Sequence, residues 1–338
     1  MDFVYFIGWD CSKATLDYTL LNQNGERLAQ GQIANTITAI AKLTTGLLEQ
    51  HHCTARQLLH CCENTGRYSN PLKAASAAHQ LCLWVEDALQ LKLSCGRIKD
   101  KTDELDAQRI AHYCRRYADQ AQLFVMPNRT ALKIKNLSRK RQVLVEQLAG
   151  WKANLNEGDA YELVPTDPSV KAIFDQFVGQ MEMAIKQIDQ QLLRLIQSDA
   201  TIKRKYDIVK SVPGMGAKNT VVLIAETELF TKLATARALA SYAGLRPRTY
   251  QSGTSVKRKS RTSQMCNKTI KTALHLGAIS LIRRDNEFSR KYHRLIARGK
   301  TALQAINAVR NKMVRVIYAC LESDTTYNKN THLSLHIP

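Results

Sequence analysis

Four carboxylates in the first third of the chain have the spacing of a divided metal site. Asp10 ends one apolar run and Glu63 ends another, while Asp103 and Asp106 lie three residues apart. That last spacing puts both side chains on one face of a helix. Clustered carboxylates repel one another unless a hard cation sits among them. Two such cations can activate water and stabilise a leaving oxygen at a phosphodiester, so the pattern predicts metal-dependent chemistry on nucleic acid.

Each acid also has a purely structural interpretation. Asp103 and Asp106 can cap a helix N-terminus and compensate its dipole. Glu63 can pair with a nearby arginine, and an acid such as Asp10 at a strand end carries little information alone. The metal hypothesis therefore depends on all four side chains meeting at one place.

A basic segment in the second half carries a candidate nucleophile, Ser252, followed by Gly253. The neighbouring cations can stabilise an alkoxide and a pentacovalent phosphorus transition state. These cations are Arg246, Arg248, Lys257, Arg258 and Lys259. From the residues alone the segment is more typical of a phosphate-binding loop. Further hydroxyls are available at Ser255, Ser260, Thr262 and Ser263.

The run V-P-G-M-G at 212–216, followed by a helical pattern, is typical of a helix-hairpin-helix. Its glycines permit close approach to a phosphate, and the next helix offers free amides. The predicted contacts are Pro213, Gly214, Gly216 and Lys218, which would hold the nucleic-acid backbone without reading bases. A plain turn between two helices is the alternative.

The excess of positive over negative charge is confined to one part of the chain. The net charge is +20, and residues 201–320 contain 25 Lys and Arg against 5 Asp and Glu. Residues 1–200 contain 23 and 22, so they are almost neutral. Such segregation predicts a polyanionic partner, here double-stranded DNA.

Composition excludes several other classes. No apolar stretch reaches the ~18 residues of a membrane span, and no signal peptide is evident, so we expect a cytoplasmic protein without membrane contact. The nine cysteines include no C-x-x-C pair, which argues against a disulfide framework and a structural zinc site.

The elements that must position the acids follow from hydropathy periodicity. The pattern predicts strands at 4–9, 14–21, 27–33, 58–62 and 81–85, and helices at 37–48, 71–78 and 103–116. The order βββαβαβα matches a ribonuclease-H/RuvC-like α/β fold, which we expect over residues 1–125.

The remainder is predicted to be mainly helical. Residues 126–200 form a helical region in which 132–151 pairs with an apolar seam at 174–195, as a coiled coil within or between chains. Residues 201–325 form a mainly α DNA-binding domain that carries the serine, with a loop or hairpin between Leu245 and Met265, and 326–338 are a tail.

Several short motifs together resemble the DEDD-type insertion-sequence transposases, the one-hundred-and-ten family, which includes pilin-gene inverting recombinases. The motifs are G-W-D-C-S-K (8–13), E-N-T-G-R-Y (63–68), K-T-D-E-L-D-A (101–107), V-P-G-M-G (212–216) and A-G-L-R-P-R-T-Y-Q-S-G-T-S (243–255). Each is short, but their order and spacing are specific, and they span nearly the whole chain.

The resemblance implies a role for each motif. Asp10, Glu63, Asp103 and Asp106 would be the metal-binding tetrad for Mg²⁺ or Mn²⁺, and Ser252 would be the nucleophile that forms a 5′-phosphoserine. It also implies a dimer or tetramer, and in related members a structured, element-encoded guide RNA.

Three alternatives remain open at this point. A junction nuclease would use the carboxylates without Ser252, and an actin-like small-molecule kinase shares the opening strand pattern. The kinase would need later glycine-rich phosphate loops, and the chain's 15 glycines form no such runs. A non-catalytic nucleic-acid-binding protein would keep only salt-dependent affinity.

Overall fold

The computed structural model describes residues 2–94, 102–161, 167–252 and 256–328, with backbone alone at 156–161, 248–252 and 256–261. These residues divide into two units, Met1–Met126 and Pro127–Pro338.

A five-stranded mixed sheet is the centre of the first unit. Its strands are β1 (Tyr5–Cys11), β2 (Thr15–Asn22), β3 (Arg27–Ala34), β4 (Leu58–Glu63) and β5 (Cys82–Glu86). They lie in the order β3-β2-β1-β4-β5. The first three form an antiparallel meander, and β4 and β5 run parallel to β1. The turn between β2 and β3 contains Gly25, whose φ of 88° suits glycine.

Helices cover both faces of this sheet. They are α1 (Ile37–Gln50), α2 (Asn70–His79), α3 (Ala88–Ser94) and α4 (Asp103–Arg116), followed by a 3-10 turn at Ala118–Gln120. On one face Ile40 of α1 and Leu72 of α2 pack beside Trp9, and on the other Ile110 of α4 packs beside Phe6. The predicted mixed α/β unit is confirmed, and its topology is consistent with a ribonuclease-H-like fold. The short α3 had no predicted counterpart.

Two long helices open the second unit, α5 (Arg129–Tyr161) and α6 (Pro168–Gln197). They pack antiparallel, since Arg141 pairs with Asp189 and Lys152 pairs with Glu182. α5 extends ten residues beyond the helix predicted at 132–151, to Tyr161. The pairing of these helices lies within one chain, and a supercoil or a contact between chains stays a prediction.

Further helices and one β-hairpin follow α6 in this unit. They are α7 (Ala200–Ser211), α8 (Ala217–Glu226), α9 (Ala236–Tyr242), β6 (Pro247–Ser252), β7 (Val256–Thr262), α10 (Lys268–Ile282), α11 (Glu287–Ala297) and α12 (Ala302–Glu322). The core includes Val309, Met313 and Ile317 of α12, all fully buried. No helix in the described residues is long and apolar enough to cross a membrane.

Candidate active site and nucleic-acid interface

The strand register brings acids from four neighbouring strands into one row. Asp10 pairs directly with Asp17 of β2. Trp9 pairs with Cys62, so Asp10 and Glu63 occupy the next positions on β1 and β4. Glu63 in turn pairs with Glu86 of β5. Residues at matched positions of adjacent strands project to the same face. These carboxylates therefore form one row across that face, at the carboxyl ends of β1, β4 and β5.

Helix α4 lies on the same face because Gly8 has no side chain. A Cβ atom at Gly8 would lie 2.2 Å from the backbone N of Ala111 and 2.3 Å from the backbone O of Ala107. The helix backbone therefore rests directly on β1, two residues before Asp10. Asp103 and Asp106 occupy the turn of α4 that precedes Ala107, so this contact brings the helix acids to the acidic row.

Electrostatics confirm that these side chains are neighbours. The pKa of Asp10 is raised from 3.8 to about 6, first by burial and then by the negative charges of Asp103, Asp106, Glu63 and Asp17. A raised carboxyl pKa means that ionised Asp10 lacks enough positive charge around it. The structure thus brings the four predicted acids near one another, and Asp106 alone among them has an ion-pair partner in the described residues, Arg109.

The donor chemistry suits a hard divalent cation, because all the side chains offer carboxylate oxygens. However, no three His, Cys, Asp or Glu side chains in the described ranges are arranged to hold a metal ion. Asp106 instead makes a 2.6 Å ion pair with Arg109. Metal ligation by the tetrad therefore stays a prediction, and it requires the carboxylates to draw together.

The structural interpretation of the helix pair is only partly correct. The N-cap of α4 is Thr102, whose side chain accepts a hydrogen bond from the backbone N of Leu105 at 3.3 Å. Neither Asp103 nor Asp106 performs that capping function. Both lie in the first turn, where negative charge is favourable to the helix dipole.

Sequence reasoning missed two members of the row, Asp17 and Glu86. Asp17 is buried, and both of its carboxylate oxygens accept hydrogen bonds from Gln32 at 3.1 Å. Glu86 accepts a 2.9 Å hydrogen bond from the hydroxyl of Tyr113 on α4. Pairing the strands predicted at 4–9 and 14–21 as neighbours would have placed Asp17 near Asp10. The end of the strand predicted at 81–85 would have suggested Glu86.

The candidate nucleophile lies on a β-hairpin, as the sequence suggested for this segment. Ser252 is the last residue of β6, and its backbone pairs with Val256 of β7. Its side chain and residues 253–255 lie outside the described part of the chain. Its role as nucleophile stays a prediction.

The two glycines of the V-P-G-M-G motif have different environments. Gly214 has a φ of 83°, and a Cβ there would lie 2.8 Å from the backbone O of Gly277 on α10. Gly216 is exposed, with open space where its Cβ would be. Gly214 is therefore explained by packing, and only Gly216 remains available for approach by a ligand. Whether the motif acts as a helix-hairpin-helix stays a prediction.

The predicted nucleic-acid contacts spread over two segments of the second unit. Gly216, Lys218 and Arg246 are exposed, and Pro213 is half-buried. No side chain caps the N-terminus of α8 at Gly216. The side chains of Arg248, Lys257, Arg258 and Lys259 fall outside the description, although their backbones form β6 and β7.

Comparison with protein families gives two matches along the chain. Residues 7–157 match a model described as a DEDD-type IS110 transposase, and residues 206–294 match the IS116/IS110/IS902 transposase family. The first match contains all four predicted acids, and the second contains Ser252. Together the models cover well over half of the chain.

Individual relatives agree with these matches. A pilin gene-inverting protein of Moraxella bovis is 25% identical over 331 residues, covering 97% of this chain and 98% of the relative. Its Moraxella lacunata counterpart gives the same values. A protein of insertion element IS110 from Streptomyces coelicolor is 35% identical over 120 residues, 36% of this chain and 29% of that protein. The chain belongs to the IS110 family of transposases, DNA-recombining enzymes.

Proposed function

We propose that the chain is the recombinase of a mobile DNA element, and that it cuts and rejoins DNA with a carboxylate-bound divalent metal and a serine nucleophile. The observation that carries the proposal is the convergence of Asp10, Glu63, Asp103 and Asp106: strand register and the α4–β1 contact bring them together. Burial, followed by the charges of the other three, raises the pKa of Asp10. Clustered carboxylates of this kind attract divalent cations.

The four acids would hold Mg²⁺ or Mn²⁺. When bound, the ions would supply Lewis acidity at the scissile phosphate. The carboxylates would orient the phosphodiester, and the row from Asp17 to Glu86 would keep the negative field that draws the ions in. Asp106 would have to leave Arg109 to take part, because its oxygen is engaged in that ion pair.

Ser252 would carry the covalent step. Its Oγ attacks phosphorus, the P–O3′ bond breaks, and the departing 3′-hydroxyl takes a proton while a 5′-phosphoserine forms. A 3′-hydroxyl from the partner strand then attacks the same phosphorus and releases Ser252. Two single-step displacements conserve the phosphodiester energy, so strands can be exchanged without a nucleotide cofactor.

DNA binding is expected from the family and from the +20 charge. We assign the phosphate backbone to the turn at 212–216, to Lys218 and Arg246, and to the basic residues of the hairpin. A structured guide RNA would use the same basic surface. Protomers would associate through the 174–195 seam as a dimer or tetramer, so that one chain's Ser252 serves another chain's acids.

The test is to trap the covalent intermediate. Incubating the full-length protein with supercoiled element-end DNA and Mg²⁺, then denaturing it, should yield a protein–DNA adduct that peptide mapping locates at Ser252. Ser252→Ala should abolish the adduct and strand exchange. Ser263→Ala is the matched control, because the Ser263 hydroxyl bonds only within its own turn, to Met265.

A junction nuclease is the rival that shares the acids. It would keep metal-dependent cleavage in Ser252→Ala and give no adduct. An adduct on another hydroxyl would retain the recombinase proposal and refute the assignment of Ser252.

A further inference from the structure

Arg310 is a buried cation without a partner. It lies on α12 and is 8% exposed, and its Nε has no hydrogen-bond partner. No hydrogen bond or ion pair links it to another residue in the part of the chain that the structure describes. Burial lowers the pKa of its guanidinium from 12.5. Burying Nε without a hydrogen bond has a cost that no contact in the described residues repays.

Other buried charges of the same unit are paired. Glu226, also 8% exposed, accepts hydrogen bonds from Arg139 at 3.3 Å and from Asn267 at 2.8 Å. The half-buried Lys135 makes a 2.5 Å ion pair with the half-buried Glu228. Glu226 thus has hydrogen-bond partners, whereas Arg310, buried to the same extent, has none in the described residues.

Two further unsatisfied polar atoms lie beside Arg310. Asn307 is one helical turn earlier on the same face of α12, and its Oδ1 is buried without a partner. His275 of α10 also has a buried, unpartnered Nδ1. Helix α10 packs against α12, and burial followed by the positive charge of Arg310 lowers the pKa of His275.

This polar cluster, formed by His275, Asn307 and Arg310, adjoins the base of the β6–β7 hairpin. The Nδ2 of Asn307 donates to the backbone O of Leu245 at 2.8 Å, and Asn311 donates to the same oxygen at 3.3 Å. Because a carbonyl can only accept, the amide of Asn307 must face it with its nitrogen, which leaves Oδ1 directed elsewhere. Leu245 is two residues before β6, the strand that ends at Ser252.

We propose that His275, Asn307 and Arg310 form a binding site for one phosphodiester group of a nucleic-acid strand, beside the base of the hairpin that carries Ser252. This inference rests on the proposed function. The guanidinium would bind the phosphate oxygens through charge-assisted hydrogen bonds, and the imidazole would add an N–H in its Nδ1-protonated tautomer. The Oδ1 of Asn307 would accept from a sugar hydroxyl or a base edge of the same nucleotide.

A phosphate fits better than a carboxylate of another protein. The second unit carries nearly all of the excess positive charge, and Arg246, next to Leu245, is a further exposed cation. Arg246 would give a strand held here a second phosphate contact, one residue after the carbonyl that accepts from Asn307. The site would thereby fix a strand relative to the base of the hairpin, which is a positioning task rather than a chemical one.

The experiment compares Arg310→Met with the wild type. Methionine has a similar length and no charge, so it removes the ligand contact together with the folding cost. Binding of fluorescein-labelled duplex DNA and of a single-stranded RNA of the same sequence would be measured by anisotropy over a series of salt concentrations. We expect at least about tenfold weaker binding to one probe and a salt slope reduced by about one. The melting temperature of the free protein should stay equal or rise.

Arg298→Gln is the matched control. Arg298 is exposed at the end of α11 and outside the proposed contacts. Its substitution therefore removes one charge without changing the polar cluster. Arg310→Lys should retain part of the affinity. The probe that loses affinity identifies the strand as DNA or RNA.

Two results would overturn the inference. Binding by Arg310→Met equal to that of Arg298→Gln would show that no phosphate reaches the guanidinium. A lower melting temperature would show that Arg310 is tied into the fold. If the wild type bound neither probe, the proposed function itself would fail, and that outcome is distinct from both.

Discussion

The two units differ in the sign of the charge that they bury, and this difference underlies what each is proposed to bind. In the first, Asp10 lies among acids, and its pKa is raised to about 6. In the second, Arg310 is buried without an anion, and its pKa is lowered. Burial is the leading cause in both, and each charged form is destabilised until a ligand of opposite sign arrives. A cation is the natural complement of the first unit and a phosphate of the second.

The glycines show how each unit assembles its surface. Gly8 lets α4 rest on β1, which delivers Asp103 and Asp106 to Asp10. Gly214 lets the turn before α8 rest on Gly277 of α10, which leaves Gly216 exposed beside it. In both units a missing side chain permits the backbone contact, and the functional candidates are neighbours of that contact.

The largest effect is expected from Asp10→Asn. Losing one carboxylate oxygen's charge at the centre of the row should slow DNA strand exchange by about 1000-fold or more, which is ~4 kcal/mol of lost transition-state stabilisation. The melting temperature should stay equal or rise, because asparagine removes the repulsion. A plasmid recombination assay and thermal denaturation measure both quantities.

Asp119→Asn is the control for that variant, since Asp119 is an exposed acid of the 3-10 turn. Full activity in Asp10→Asn would contradict the view that the acid row binds a catalytic cation. The first unit would then be a nucleic-acid-binding scaffold, and only the basic unit would retain a functional site.

Gly8→Ala should move the acids of α4 away from the acids of the sheet. The new methyl group would meet the backbone of α4, so we expect a loss of about 3 kcal/mol in the free energy of unfolding, or a displaced helix with activity lost. Urea denaturation followed by tryptophan fluorescence would report on the first unit, which contains the buried Trp9 and Trp84.

Gly46→Ala provides the control, because nothing lies within 4 Å of the position of its Cβ on α1. A helical glycine with free space should gain up to about 1 kcal/mol on conversion to alanine. Equal stability of the two variants would refute the direct contact between α4 and β1.

The smallest effect concerns pH. Because the folded pKa of Asp10 is raised from 3.8 to about 6, its contribution to stability is complete below about pH 4 and lost as pH rises through 6. After screening by solvent we expect less than about 2 kcal/mol, since Asp10 is only partly buried. The stability gained by Asp10→Asn should thus be larger at pH 7.5 than at pH 5, measured by thermal denaturation.

Protonation of His60 changes the stability in the opposite direction, so the pH dependence of the wild type alone would not isolate Asp10. Its buried imidazole has a pKa lowered from 6.5 to about 3, and its contribution is lost as pH falls below 6.5. Both proteins contain His60, and their difference isolates Asp10. Millimolar Mg²⁺ should raise the melting temperature of the wild type at pH 7.5 more than that of Asp10→Asn. If the wild type and Asp10→Asn did not differ in stability at either pH, the proposed repulsion around Asp10 would be refuted.

Much of the fold could be predicted because its signals are local. Helix α4 has the predicted bounds, since Thr102 caps it and apolar residues recur at helical spacing. The meander follows from alternation and the turn at Gly25. Three helices were missed, α3, α7 and α11. Helix α3 has only seven residues, too few to show a period. Helix α11 does carry a local signal, since Phe288, Tyr292 and Leu295 recur at helical spacing and Asn286 caps it.

The sequence by itself determined which residues can do chemistry: the acids at strand ends and on one helix face, the serine among cations, and the confinement of positive charge to the second unit. These are properties of residue type and spacing, which folding does not change. Only the tertiary structure decided which side chains become neighbours. It added Asp17 and Glu86 through strand register, assigned Gly214 to packing, and left Arg310 buried without a partner. Register, close approach and burial depend on contacts between distant segments, and no local pattern encodes them.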